Sequence, residues 1–146
     1  GVLTVRYKVR EPEDGLVYGA AAGLGFAAME NVFYNSSALL SGFDVFLSTA
    51  ITRAVASTLL HATASAVVGY GIARKSLLGT RGVGASWLPY YLAAVLLHGA
   101  FNGFAVAGEV WDHWAIPLIG LIAASVMAVG MFLWMRHRLK AMDRGL

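Results

Sequence analysis

The sequence predicts an all-α, polytopic membrane protein with four transmembrane helices, and two observations carry that prediction. The first is composition: 58% of the 146 residues are hydrophobic and only 13% are charged, whereas soluble domains are about one-quarter charged. The second is the bunching of those charges. It leaves four apolar runs, each longer than the ~20 residues needed to cross ~30 Å of hydrocarbon. The net charge of +3 and pI near 9.5 come from short basic clusters beside the apolar runs. Such clusters orient a chain in a membrane and do not resemble a nucleic-acid surface. There is no cysteine, so disulfides and thiolate chemistry are excluded.

Gly1 to Arg10 alternates apolar and basic residues, a pattern that fits an interfacial strand or the tail of an earlier helix. Residues 1–13 are therefore read as a cytoplasmic segment or such a tail, 14–140 as a four-helix membrane domain and 141–146 as a cytoplasmic tail. The first span runs from about Asp14 to Leu40: Pro12 ends what precedes it, Asp14 serves as N-cap, and Glu11 and Glu13 suit a helix N-terminus. The second span runs from Asp44 to Ala73 and stops at Arg74, Lys75 and the Gly79-Thr80-Arg81-Gly82 loop. The third begins near Ser86, with Pro89 tolerated in its first turn, and ends near Gly108. The fourth runs from Asp112 to Met135 and leaves through Arg136, Arg138 and Lys140.

Basic residues precede span one and follow spans two and four, while the other two connections carry only Asp44, Glu109 and Asp112. The positive-inside rule then puts both chain ends in the cytoplasm. Trp87, Tyr90, Tyr91, Trp111, Trp114 and Trp134 lie at span ends, where interfacial aromatics belong.

A charged side chain at a membrane-helix centre costs about 2.5–3.5 kcal/mol, so each one is a functional candidate. Span one carries Glu30, span two Arg53 and His61, span three His98 and Asn102. At 1.5 Å per residue, Glu30 and His98 lie roughly 16 Å from the outer ends, Arg53 roughly 13 Å and Asn102 roughly 10 Å. His61 comes out deeper, roughly 25 Å along an unusually long span. His98 and Asn102, four apart, share a helix side, as do Phe26 and Glu30; Arg53, Ser57 and His61 climb one slowly rotating stripe. These groups are expected to line a polar pocket inside the bundle. Gly15, Gly19, Gly23 and Ala27, spaced by four, let a neighbouring helix approach closely enough to close it. Asn31, Tyr34 and Asn35 read as the outer half of span one, and His113 and His137 as solvent-facing.

This residue set suits hydrolysis. A carboxylate takes a proton from water, and histidine and asparagine donors hold the oxyanion on an attacked carbonyl. Glu30, His61 and His98 also make a zinc ligand set with one open position for water, although no HExxH spacing supports it. A proton or ion path uses the same residue types. An Arg53–Glu30 pair that only fixes helix packing is the structural alternative.

The run from Asp14-Gly15 through Gly23-Leu24-Gly25-Phe26-Ala27-Ala28-Met29-Glu30-Asn31, then Arg53, His61-Ala62 and Gly69-Tyr70-Gly71, and finally His98-Gly99-Ala100-Phe101-Asn102, resembles the PrsW family of intramembrane proteases. These are bacterial and archaeal relatives of the CAAX-processing enzymes. The FxxxE form at Phe26 to Glu30 is similar to PrsW, where the CAAX branch has histidine. The likeness covers about residues 11–104. It implies a larger bundle of the CAAX/PrsW type and a glutamate-dependent protease, historically called a metalloprotease. Its substrates would be single-span membrane proteins such as anti-sigma factors. His98 and Asn102 would hold the oxyanion, His61 and Glu30 would position water or share protons, and Arg53 would anchor Glu30, supported by Phe26 and Asn31. No cofactor is required on that reading, and zinc is required on the alternative. The family's Glu-Glu-Lys motif (EExxK) is missing from the thirteen residues before Asp14. The expectation is a chain cut just after that motif, with its general base outside. A non-enzymatic scaffold or immunity-type binding protein of the same fold stands as the other class.

Overall fold

The computed structural model describes residues 9–78, 87–110 and 115–142. Expectations for residues 1–8, for the Gly79–Gly82 loop, for Trp111 to Trp114 and for residues 143–146 lie outside the described residues. Those described form helices: α1 (Pro12–Ser41), α2 (Phe43–Thr52), a π-helical turn (Arg53–Ser57), α3 (Thr58–Leu78), α4 (Leu88–Val110) and α5 (Ala115–Met142).

α1 begins two residues before the expected N-cap. Pro12 occupies its first position, where a missing N–H costs nothing, and Glu11 is the N-cap. Asp14 instead sits in the first turn, and its Oδ2 accepts from the backbone N–H groups of Arg10 (2.7 Å) and Glu11 (3.1 Å). Those donors would otherwise be orphaned at the helix start. α1 ends at Gly42, whose N–H returns to the Ala38 carbonyl. Gly42 has φ +144° and ψ 158°, a conformation open essentially to glycine alone. The chain reverses there into α2, the π turn and α3.

α1 and the α2–α3 arm form a hairpin that mirrors about Gly42. Gly15 lies against Gly69 and Ala73, Gly19 against Ser65 and Ala66, and Gly23 against His61 and Ala62. Each four-residue step along α1 is answered by four residues in the opposite direction along α3. A side chain on any of the three glycines would run into the facing backbone. The glycine row therefore does what its spacing predicts: it lets two backbones touch.

α3 is the central helix, packed by α1, α4 and α5. Leu16, Ala66 and Val67 form one core cluster, and Leu60, Ala64, Ala94 and Leu97 form a second; Met131 of α5 packs against both. Outward-facing side chains are apolar: Leu40 is 91% exposed, Leu96 72% and Phe43 70%. Pro12–Ser41 and Phe43–Leu77 are long and apolar enough to cross a bilayer. The third and fourth expected spans correspond to helices α4 and α5.

Candidate functional site

Glu30 is the hub. Its Oε2 accepts from Arg53 Nη2 at 2.5 Å and lies 3.0 Å from His61 Nε2. An ionised carboxylate can only accept, so a hydrogen bond here requires the His61 tautomer that carries its proton on Nε2. The three side chains are largely withdrawn from the surface: Arg53 is 14% exposed, Glu30 27% and His61 6%.

His61 was expected to lie deeper than the others, yet its ring reaches Glu30. By Cα position the expectation has a basis, since His61 faces Gly23, two turns from Glu30. Side chains lean toward the N-terminus of their own helix, however. In an antiparallel pair, Glu30 leans toward Gly23 and His61 leans toward Ser57, so their tips converge. The π turn supplies the other half of the geometry. Arg53 and His61 are eight residues apart, which in a regular α-helix leaves their directions roughly 80° apart. A π turn spreads its residues over a wider loop and advances less per residue. The two side chains are thereby brought toward one line, and both reach Glu30 Oε2.

Two further residues hold Arg53. Its Nε donates to Asn31 Oδ1 at 3.0 Å, and its guanidinium stacks on the Tyr34 ring, 3.8 Å from the centroid. Asn31 and Tyr34 therefore belong to the site, where the sequence reading had Tyr34 merely finishing the outer half of a span. The signal was available in their spacing: Glu30, Asn31 and Tyr34 occupy adjacent positions on one helical surface.

His61 also meets two rings. The Phe26 ring packs on it edge-on, with centroids 5.0 Å apart, and the His98 ring lies 4.8 Å away. His98 thus joins the cluster from α4. Asn102 does not: it is exposed and outside the groove described below. The inner stripe of α4 is Ala94, Leu97 and Phe101. His98 is at the edge of that stripe, and four more residues rotate Asn102 about 40° farther from it. The expected His98–Asn102 pair is split between the groove and the open flank of α4.

The two imidazoles stand at one end of a groove of about 1170 Å³. α1 and α4 form its walls and α3 its floor. Ala64, Ser65, Val68 and Gly69 keep the floor low, and Tyr18 and Tyr91 stand on opposite walls. Lys75 and Trp87 lie at the far end, about 20 Å from His61 along α3. The lining is mostly apolar, so the groove suits an apolar chain segment running toward the imidazoles.

The metal reading does not fit these side chains. Among the described residues no three of His, Cys, Asp and Glu are grouped to hold an ion. The carboxylate oxygen nearest His61 is already shared with a guanidinium.

A family model described as "PrsW family intramembrane metalloprotease" matches residues 1–135. Protease PrsW of Geobacillus kaustophilus (strain HTA426) is 32% identical over 104 residues, covering 71% of this chain and 43% of that protein. Protease PrsW of Bacillus subtilis (strain 168) is 34% identical over 112 residues, 75% of this chain and 47% of that protein. Protease PrsW of Clostridioides difficile (strain 630) is 33% identical over 110 residues, 75% and 44% respectively. The chain spans less than half the length of these curated relatives. No solved structure matches it.

Proposed function

Because the chain belongs to the PrsW family of intramembrane proteases, we propose that it carries the inner wall of a peptide-bond-cleaving site within a four-span membrane domain. One observation supports this above the rest: Glu30 of α1 bonds both Arg53 of the π turn and His61 of α3, and the rings of His61 and His98 of α4 stand together at one end of an apolar groove. Polar groups at such a depth are costly unless they serve one another or a reaction.

The substrate on this reading is a membrane-anchored single-span protein, with anti-sigma factors as the class the family resemblance implies. An apolar segment lies in the groove with its scissile carbonyl near His98 and His61. His98 donates to the oxyanion as it forms. Asn102 adds a second donor if the substrate reaches the flank of α4. His61 and Glu30 hold the attacking water and pass protons, and Arg53 keeps the Glu30 carboxylate in place. α4 and α5 form the third and fourth spans, both ends of the chain face the cytoplasm, and the protein resides in the cell membrane.

The test is His98→Ala in the full-length protein, with cleavage of a single-span substrate followed in liposomes. Loss of one oxyanion donor lowers turnover about 100-fold. Unchanged turnover removes His98 from the mechanism. A second reading, a non-enzymatic scaffold of the same fold, is favoured by the engagement of Glu30 Oε2 by both Arg53 and His61, as a purely structural lock would have it. That reading expects no cleavage by the full-length wild type.

A further inference from the structure

The hold on Arg53 does not end at Asn31. Asn31 Nδ2 donates to Thr58 Oγ1 at 3.2 Å, and the Thr58 hydroxyl donates to the backbone carbonyl of Arg53 at 3.1 Å. Together with Arg53 Nε and Asn31 Oδ1, these bonds make a closed circuit of three residues. The direction around it is dictated by chemistry. A guanidinium only donates, so the amide oxygen of Asn31 must face it. The amide NH2 is then left for Thr58, whose oxygen accepts and whose proton continues to the Arg53 carbonyl. The same carbonyl also receives the Thr58 backbone N–H across the π turn. Thr58 therefore grips Arg53 twice, once through the backbone and once through its side chain.

We infer that Thr58 is a positioning residue of the site: acting through Asn31, it fixes the Arg53 guanidinium on Glu30 and so sets where the carboxylate stands relative to His61. A threonine that bonds the carbonyl one turn back is common in helices and by itself needs no function. What goes beyond that pattern is the bond to Asn31, which crosses from the α2–α3 arm to α1 and ties down the amide nitrogen while the amide oxygen faces the guanidinium. Nothing in the spacing of Thr58 singles it out in the sequence. Its role follows from the π turn, which brings its hydroxyl to the Arg53 carbonyl five residues back.

The inference rests on the protease reading for its effect on turnover, but not for its geometry, and the experiment separates the two. In the full-length protein, Thr58→Val keeps the side-chain shape and removes the hydroxyl, while Thr58→Ser keeps the hydroxyl. Thr58→Val is expected to lower kcat roughly five- to tenfold, the scale of one lost hydrogen bond. KM stays unchanged, because the groove is untouched. Thr58→Ser restores most of the rate. The Thr58→Val/Asn31→Leu double variant is no slower than the slower single variant, since both break one circuit. Independently of activity, the 15N-detected Arg53 Nε–H is protected from exchange in the wild type and in Thr58→Ser, and loses that protection in Thr58→Val. Retained protection in Thr58→Val overturns the inference, as does wild-type kcat once protection is lost. If the wild type cleaves nothing, the protease reading fails and the Arg53 signal alone decides whether Thr58 holds the guanidinium.

Discussion

The α1–α3 seam has two halves built on opposite principles. On the side away from Gly42, Gly15, Gly19 and Gly23 lie against the backbone of Gly69, Ser65 and His61, and at each glycine it is main chain or a small side chain that lies nearest. On the side near Gly42, Glu30, Asn31 and Tyr34 of α1 enclose Arg53, and Thr58 completes the ring. The first half supplies proximity without chemistry; the second supplies chemistry that only works at that proximity. A glycine contact orders no side chains, so it sets the helix spacing at little entropic cost. The long side chains of the polar half then find their partners at a distance already fixed.

The comparison is broken most directly in the glycine half. Gly19→Val drives a side chain into the Ser65 carbonyl and Ala66, and is expected to destabilise the fold by roughly 2–3 kcal/mol. Gly25→Ala, at a position where an added Cβ meets nothing within 4 Å, leaves the melting temperature in detergent near that of wild type. Equal effects of the two would mean that the seam is not set by close approach. A smaller effect is expected at the turn. Gly42→Ala forces a side chain into a backbone region it does not tolerate and toward Asp44 Oδ1, at a cost of about 1–2 kcal/mol, measured by the same melt. The smallest stability effect belongs to the polar half. The Glu30→Met/Arg53→Met double variant replaces a partly buried ion pair with apolar side chains, a change often neutral or stabilising. It should shift stability by less than about 1 kcal/mol while lowering cleavage about 100-fold or more. A large loss of stability in that variant would show that the pair is chiefly structural.

The helices, the close approach of span one and the gathering of Glu30, Arg53, His61 and His98 were all legible in the sequence. Each follows from a local rule: apolar length, glycine spacing, or the cost of charge in lipid. The contact between His61 and Glu30 was hidden because counting along the axis ignores the direction in which side chains lean. The π turn was invisible because Arg53–Ser57 (Arg-Ala-Val-Ala-Ser) has no glycine or proline to announce an irregular helix. Thr58 went unseen for the same reason: its partners are set by that turn and not by any spacing within one helix. Asn102 shows the opposite failure. An i, i+4 pairing guarantees a shared side, yet about 40° of drift per step is enough to carry the second residue off a narrow contact stripe.

A repeat of four small residues cannot tell one helical turn from the next. Slid by a turn, Gly15 would face Ser65 and Gly19 would face His61, and the two backbones would still fit. The glycine row therefore tolerates translational slippage, and selection of a unique alignment must come from elsewhere. The abrupt reversal at Gly42 limits how far either arm can slide. The guanidinium–carboxylate contact vanishes after a single step. A site assembled this way has its ionisable groups doubling as the vernier of its own scaffold, so a misaligned hairpin also takes the site apart.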